Sequence, residues 1–171
     1  MFALKIVGTV CITGATTLYA RGLVNELSCR IAALKAIKQS FTTLKGELRY
    51  GVETLPSAFM HVGERCSCGQ ETVRDFFWNT GNRLKTENGS ILKEVWEEEA
   101  KKLAAAACLN GNECDNLIAV ADSLGYLDLT QQTNNIELYL QSVDESIEAL
   151  SGKYEQNSRT VSYTHLRAHE T

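Results

Sequence analysis

Residues 21–49 read RGLVNELSCRIAALKAIKQSFTTLKGELR, and this stretch decides the fold. Its apolar residues recur at intervals of three or four, which places them on one stripe of an α-helix. Because the chain contains a single proline, long helices meet almost no interruption. We therefore predict an all-α protein with one long helix here, ending near Tyr50-Gly51. The stripe consists of Leu23, Leu27, Ile31, Leu34, Ile37, Phe41, Leu44 and Leu48.

A second long stripe lies near the end of the chain and settles into alternating steps of four and three residues. This rhythm is typical of helices that pack at shallow angles, so we expect an antiparallel bundle in which the last helix pairs with the long early one. Asp128 and Gln131 have capping-box spacing for the start of this last helix. The stripe consists of Leu129, Ile136, Leu140, Val143, Ile147, Leu150 and Tyr154.

Four shorter helices are predicted between the two long ones. The second helix begins at a Thr54 cap with Pro56 in its first turn, and the fifth stops at Gly125. Ser90 is placed to cap the fourth helix, whose residues 97–99 are three glutamates. We interpret that acidic run as a solvated face and not as a carboxylate site. The core-facing residues expected in the third and fourth helices are Val73, Phe76, Phe77, Leu84, Leu92, Val95, Trp96 and Leu103.

Composition narrows the classes of function. A chain of 171 residues that is 44% hydrophobic supports one core, and its net charge of −4 is spread along the chain without a basic cluster. Nucleic-acid binding is therefore not expected. The sequence has no glycine-rich phosphate loop, no nucleophile elbow and no paired metal ligands, so we predict no enzymatic activity, no cofactor and no metal.

The six cysteines are spaced irregularly, which does not suggest a disulfide framework and favours reduced thiols. Cys66-Ser-Cys68 is the only close pair, and no second pair or nearby histidine completes a zinc ligand set. A thiol or metal enzyme built on this pair is the least favoured class of function. The cysteines are Cys11, Cys29, Cys66, Cys68, Cys108 and Cys114.

Residues 1–20 contain the uncharged run IVGTVCITGATTLYA from residue 6 onward and reach about the length that spans a bilayer. A membrane anchor, a cleaved signal peptide and a buried first helix compete as explanations. Leu18 stands where a cleavage site needs a small residue, and the run shows no polar face beyond threonine. We predict a transmembrane anchor over residues 1–20.

Positive charges after this segment outweigh Lys5 and the amino terminus before it. By the positive-inside rule, the helical domain at residues 21–160 is then expected in the cytoplasm, which fits unpaired thiols. The charges that decide this orientation are Arg21, Arg30, Lys35 and Lys38.

The last eleven residues, VSYTHLRAHET at 161–171, break the preceding pattern. They match the translation of a sequencing-library transposon adaptor, so we interpret them as a non-native tail and exclude them from the fold. The helical spacing of His165 and His169 then has no meaning as a metal site. His61, the remaining histidine, is expected to be a surface or packing residue.

Residues 47–59, ELRYGVETLPSAF, resemble the signature of the stage III sporulation protein AB family. In that signature an acidic residue and Tyr-Gly precede a helix capped by Thr-Pro-Leu that ends in Ala-Phe, whereas the order here is Thr-Leu-Pro. Trp96 and the segment LGYLDLTQQ at 124–132 match further pieces. The candidate family-motif or partner-contact residues are Glu47, Tyr50, Gly51, Thr54, Pro56, Phe59, Trp96, Asp128 and Gln132.

The resemblance implies a non-enzymatic membrane scaffold in the sporulation complex that links mother cell and forespore. It implies a domain similar to the type II secretion inner-membrane platform protein, on the mother-cell side of the membrane, with a cytoplasmic secretion-type ATPase among its protein partners. It also implies a second, glycine-containing transmembrane helix after about residue 160. Oligomerisation stays open, and the alternative function is a tethered or soluble helical adaptor of another pathway.

For the motif residues, two explanations compete. Glu47, Tyr50 and Gly51 fit a helix end, in which glycine permits the left-handed turn, or an exposed corner that docks a partner. For Asp128 and Gln132, capping and interhelical bonding are favoured over partner contact.

Overall fold

The computed structural model describes the backbone of residues 2–50, 54–66, 70–87, 91–125 and 128–167, and side chains mainly from 21 to 156 within these ranges. All regular structure in this described part is helical, so the all-α prediction is confirmed. The elements are α1 (Phe2–Tyr50), α2 (Leu55–Glu64), α3 (Glu71–Thr86), α4 (Leu92–Ala106), α5 (Gly111–Ala119), a short 3-10 turn (Val120–Asp122) and α6 (Leu129–Arg167).

The two long helices, α1 and α6, pack against each other in antiparallel orientation. Lys38 Nζ donates to Asp144 Oδ1 at 2.6 Å, and Lys45 forms an ion pair with Glu137. A step of seven residues up α1 is therefore matched by seven residues back along α6. The predicted pairing of the last helix with the long early helix is correct.

The central residues of the two predicted stripes are buried where α1 packs against α6. The first residue of each stripe is exposed. The fully or nearly fully buried members are Leu34, Ile37, Phe41, Leu44, Ile136, Leu140, Val143 and Leu150. Leu23 and Leu129, the first residue of each stripe, are exposed. Leu129 is the first residue of α6, so it stands at the end of its stripe.

The first helix has no break where the predicted anchor meets the helical domain. α1 runs from Phe2 to Tyr50 as one helix of 49 residues. Within the described part of the chain, no helix combines the length and the apolarity needed to cross a membrane. The anchor predicted at residues 1–20 therefore has no support in the structure, although most side chains of that segment lie outside the described residues.

An aromatic cluster centred on Trp96 fills the core. The Trp96 ring lies 4.8 Å from that of Phe76 and 5.3 Å from that of Phe59, measured between ring centroids. Phe41 of α1 lies 4.7 Å from Tyr139 of α6. Edge-to-face and tilted contacts of this kind add to the free energy of burial. The cluster thus connects α1, α2, α3, α4 and α6 in one core.

α2 and α3 approach each other very closely because glycines lie between them. A Cβ atom at Gly81 would lie 2.5 Å from the carbonyl oxygen of Pro56 and 2.8 Å from Met60 Cγ. A Cβ atom at Gly63 would lie 3.0 Å from both the Cβ and the backbone nitrogen of Trp78. Only glycine fits Gly81 without a shift of backbone.

Helix caps agree with the sequence in part. Thr54 occupies the N-cap position of α2 in an extended conformation, but its side chain makes no capping hydrogen bond. Asp128 Oδ1 accepts from the Gln131 amide at 2.8 Å, as predicted. Asn110 and Glu113 form a full capping box at the start of α5, which was not among the predicted caps. Ser90 lies outside the described residues.

The prediction that all of residues 97–99 are solvated is wrong for Glu99, which is only 3% exposed. Its carboxylate accepts from Arg83 Nη1 at 3.0 Å and from Lys102 Nζ at 2.7 Å. Two cations, Arg83 from α3 and Lys102 from the next turn of α4, compensate the cost of burying the charge. One residue of the acidic run, Glu99, is therefore buried and links α4 to α3 through Arg83.

The backbone of α6 continues past residue 160 to Arg167. The side chains of residues 161–171 lie outside the described residues. The adaptor origin of this segment stays a prediction.

Candidate partner-binding surface

Tyr50 lies level with the start of α6. The ion pairs Lys38–Asp144 and Lys45–Glu137 set the register of the two antiparallel helices. Each step forward along α1 is matched by an equal step backward along α6. Five residues beyond Lys45, that register places Tyr50 beside Gln132. The last turn of α1 and the first turn of α6 therefore share one end of the bundle.

The starts of α2 and α4 reach the same end. A Cβ atom at Gly125 would lie 3.7 Å from Leu55 Cδ2 and 3.7 Å from Leu92 Cδ2, so the turn before α6 meets the first residues of both helices. Gly125 has a φ of +87°, a conformation that favours glycine. We call this region the bundle end and define it by Tyr50, Thr54, Ile91, Asp128 and Leu129.

Three large apolar side chains are exposed at the bundle end. Tyr50 is 79% exposed, Ile91 49% and Leu129 46%. The Arg49 guanidinium lies 5.6 Å from the centroid of the Tyr50 ring, which is within the range of a cation–π contact. The bundle end thus exposes one amphipathic aromatic ring and two aliphatic side chains.

Ion pairs brace the helices near this surface. Arg65 Nη1 at the end of α2 donates to Glu47 Oε1 in α1 at 3.1 Å. Lys93 Nζ in the first turn of α4 donates to Asp122 Oδ1 at 2.7 Å, and this hydrogen bond with the nearby negative charge raises the pKa of Lys93. Both pairs are solvent-exposed in part, so they position their helices more than they stabilise the fold.

The nine predicted candidates separate into different roles. Phe59 and Trp96 are completely buried, and Trp96 Nε1 donates to the Leu117 carbonyl at 2.8 Å. Pro56 presents its carbonyl to Gly81. Phe59 and Trp96 therefore belong to the core and offer no contact surface, whereas Pro56 is half-buried at the contact between α2 and α3.

The remaining candidates lie at or near the bundle end. Glu47 pairs with Arg65, Thr54 occupies a cap position, and Asp128 caps α6 through the Gln131 amide. The Gln132 amide donates to the Asp128 carbonyl at 2.9 Å. Only Tyr50 combines a large apolar surface with full exposure, whereas Gly51 lies outside the described residues.

Two members of the surface were missed by the sequence reading. Leu129 was assigned to the buried stripe because its spacing matched, and Ile91 was not selected at all. Both stand at helix starts, Ile91 as the N-cap of α4 and Leu129 as the first residue of α6. A large apolar residue at a cap position, where Ser, Thr, Asp or Asn is usual, is the signal that would have identified Ile91.

The Cys66 thiol is held by hydrogen bonds inside the protein. Its sulfur lies 3.3 Å from Ser40 Oγ and 3.5 Å from the Val62 carbonyl oxygen. Cys68 lies outside the described residues. Among the residues that are described, no three His, Cys, Asp or Glu side chains are grouped so that they could hold a metal ion.

The fold defines a helical-bundle protein with exposed apolar side chains at one end. The family model for Stage III sporulation protein AB matches residues 5–166, and the chain therefore belongs to that family. Stage III sporulation protein AB of Bacillus subtilis (strain 168) is 24% identical over 143 residues, which cover 84% of this chain and 81% of that protein. The resemblance found in the motifs is confirmed.

A solved structure of Stage III sporulation protein AB (SpoIIIAB) has the same fold. Its TM-score to this chain is 0.65 at 20% identity, and the superposition covers 74% of this chain and 97% of the other. The family is one of sporulation proteins.

Proposed function

We propose that this protein is a non-enzymatic membrane scaffold of the sporulation complex that links mother cell and forespore. Its bundle end docks a cytoplasmic secretion-type ATPase, in the manner of a secretion platform protein. The observation that carries the proposal is the exposure of Tyr50, which is 79% exposed at the same end of the bundle as Ile91 and Leu129. Family membership supplies the sporulation context.

Tyr50 suits the centre of such an interface. Tyrosine brings a large contact area and few rotatable bonds, so little conformational entropy is lost when a partner covers it. The ring stands at the end of a long helix that is packed against α6, which pre-organises its position. Large groups exposed on rigid elements favour docking over catalysis here.

The length of α1 separates the bundle end from the proposed membrane anchor. We propose that residues 1–20 cross the membrane and that residues 21–160 lie in the cytoplasm on the mother-cell side. Thirty helical residues from Ala20 to Tyr50 span about 45 Å at about 1.5 Å per residue. Tyr50 would then face away from the membrane, where a cytoplasmic ATPase can reach it.

Docking is tested by binding of the full chain, in detergent, to the secretion-type ATPase from the same genome. Tyr50→Ala should reduce affinity roughly thirtyfold, because loss of a buried central aromatic contact costs about 2 kcal/mol. Leu138→Ala is the matched control, since Leu138 is 63% exposed but lies on the side of α6. It should bind as the unmodified chain does.

Thermal unfolding of both variants should match that of the unmodified protein. Equal affinity of the Tyr50 and Leu138 variants would assign Tyr50 to packing alone. Failure of the unmodified chain to bind would remove the ATPase as the partner.

The anchor is tested separately by expressing the full chain and a variant that begins at Arg21. The full chain should stay in the membrane pellet after an alkaline wash, and the shortened chain should be released. Release of both would exclude a spanning segment at residues 1–20.

A further inference from the structure

Two exposed cysteines from distant parts of the sequence meet on the surface of the bundle. Cys29 belongs to α1, and Cys108 lies two residues after the end of α4. Cys29 lines a surface cavity of about 370 Å³ together with Ala106 and Ala107, the two residues immediately before Cys108. Desolvation raises the pKa of the Cys108 thiol and the neighbouring Cys29 thiol raises it further, so the two side chains lie near each other.

A strong ion pair holds the two segments together beside the thiols. Arg30, the neighbour of Cys29, donates from Nε and Nη2 to the two carboxylate oxygens of Glu113 at 2.7 and 2.8 Å. Glu113 is buried and also accepts from the Asn110 amide at 3.0 Å. A bidentate pair of this kind fixes both distance and orientation, so the approach of the thiols is built into the fold.

The backbone at Cys108 gives an independent reason to single out this residue. Its φ is +54°, and it is the only non-glycine residue with a positive φ in the described part of the chain. The Leu109 amide donates to the Ala104 carbonyl at 3.0 Å, and the Ala107 amide donates to that of Leu103 at 2.9 Å. Glycine is the usual residue at this left-handed position of a helix C-terminus, and a side chain there is disfavoured.

We propose that Cys29 and Cys108 form a reversible dithiol–disulfide site that links α1 to the end of α4. The disfavoured conformation brings a thiol to a place where glycine would otherwise be preferred, directly against a second thiol. The site takes small-molecule disulfides, such as oxidised glutathione, as its oxidant. Its oxidised form closes a loop of about 80 residues.

The reaction is ordinary thiol–disulfide exchange. The thiolate of one cysteine, having lost its proton to solvent, attacks a sulfur of oxidised glutathione, forms a mixed disulfide and releases one glutathione thiolate. The second cysteine thiolate attacks the protein sulfur of that mixed disulfide and releases the other glutathione. The two protein thiols lose two electrons and two protons, and oxidised glutathione becomes two molecules of glutathione.

The remaining cysteines on the described surface provide contrasts. Cys66 is engaged by Ser40 and Val62, and Cys114 is half-buried, where desolvation and the Asp115 charge raise the pKa of its thiol. Desolvation raises the pKa of the Cys108 thiol as well, so the pKa does not separate Cys108 from Cys114. Proximity to a second thiol is what distinguishes Cys108.

The experiment oxidises the full chain, in detergent, with oxidised glutathione and digests it with trypsin and a glutamate-specific protease. Cleavage after Glu113 separates Cys108 from Cys114. We expect one linked pair of peptides that contain Cys29 and Cys108, a mass lower by two hydrogens, and a monomer on a non-reducing gel. Tm should rise by about 5 °C or more on oxidation and return on addition of a reductant.

Cys114→Ser should keep all of these changes, whereas Cys29→Ser should lose them. Cys108→Gly is the sharper variant, because glycine relaxes the left-handed position. It should be at least as stable as the unmodified chain in reductant, yet gain nothing on oxidation. A disulfide between molecules, stable glutathione adducts on both cysteines, or an unchanged Tm of the oxidised chain would each overturn the proposal.

Discussion

At the scale of single residues, buried charge holds the helices in register. Glu99 of α4 and Glu113 of α5 are both buried, and each accepts hydrogen bonds from a cation on another helix, Arg83 and Arg30 respectively. Among the described residues, no buried side-chain nitrogen or oxygen lacks a hydrogen-bond partner. Such contacts cannot be recognised by spacing alone, because an acidic run on a helix has the same pattern whether one member is buried or none is.

Arg83→Met tests this at one residue. Arg83 donates to Glu87, Glu98 and Glu99, and these hydrogen bonds raise its pKa. Removing the guanidinium should lower the free energy of unfolding by about 2 kcal/mol at pH 7, because it leaves the buried Glu99 with Lys102 as its remaining cation. Urea denaturation measures the change.

The effect of Arg83→Met should also depend on pH. Its hydrogen bond to Glu98 lowers the pKa of that carboxyl, so this stabilising contribution is present above the unfolded pKa of about 4.3 and is lost as pH falls through the folded value. The difference between the two proteins should therefore be smaller at pH 3 than at pH 7. Lys101→Gln, which breaks only the exposed Lys101–Glu97 pair, should be nearly neutral at both. A difference that grows towards acid pH would contradict this account.

At the scale of elements, the periodic stripes correctly predicted that α1 packs against α6. They did not predict the close contact between α2 and α3. The spacing from Leu34 to Leu44 was enough to place α1 against α6, since a buried stripe needs a partner. Nothing in the sequence indicates the close contact of α2 and α3. A glycine inside a helix predicts only a less stable helix unless the neighbouring helix is known. The capping box of Asn110 and Glu113 was present in the sequence and was overlooked.

Gly81→Ala tests the α2–α3 contact. The new methyl group would lie 2.5 Å from the Pro56 carbonyl oxygen, so the two helices must separate. We expect a loss of roughly 2–3 kcal/mol, typical of overpacking. Gly46→Ala in α1 is the matched control, because a Cβ atom at Gly46 would have no neighbour within 4 Å.

Because alanine is the better helix former, Gly46→Ala should be neutral or stabilising by up to about 1 kcal/mol. Thermal and urea unfolding of the two variants provide the comparison. Equal losses would mean that helix propensity, and not the interhelical contact, governs both positions.

At the scale of the whole molecule, the sequence predicted more of the fold than of the candidate site. The motif residues were predicted as one group of candidates. In the structure, Phe59 and Trp96 are buried in the core, whereas Tyr50 is exposed. A large aromatic residue fits either place, and only three-dimensional packing decides between them. Ile91 and Leu129 joined Tyr50 through the meeting of helix ends that are far apart in the sequence.

Leu140→Asp tests the single core. Leu140 is buried in α6 against α1, so an aspartate there places a charge without a partner among apolar groups. The free energy of unfolding should fall by roughly 3–5 kcal/mol, with loss of helix signal in circular dichroism at lower temperature. Glu98→Ala, at an exposed position, should leave it nearly unchanged. Equal melting temperatures would show that the buried face of α6 is misplaced.

The central claim is that the bundle end, and not the side of the bundle, meets a partner protein. The most direct measurement is site-specific photo-crosslinking in sporulating cells, with a photoreactive amino acid at Tyr50 in one strain and at Leu138 in another. Both positions are exposed, so both probes are accessible. The account predicts a discrete crosslinked protein from position 50 and none from position 138. A crosslink from position 138 alone, or none from position 50 while the protein accumulates normally, would contradict it.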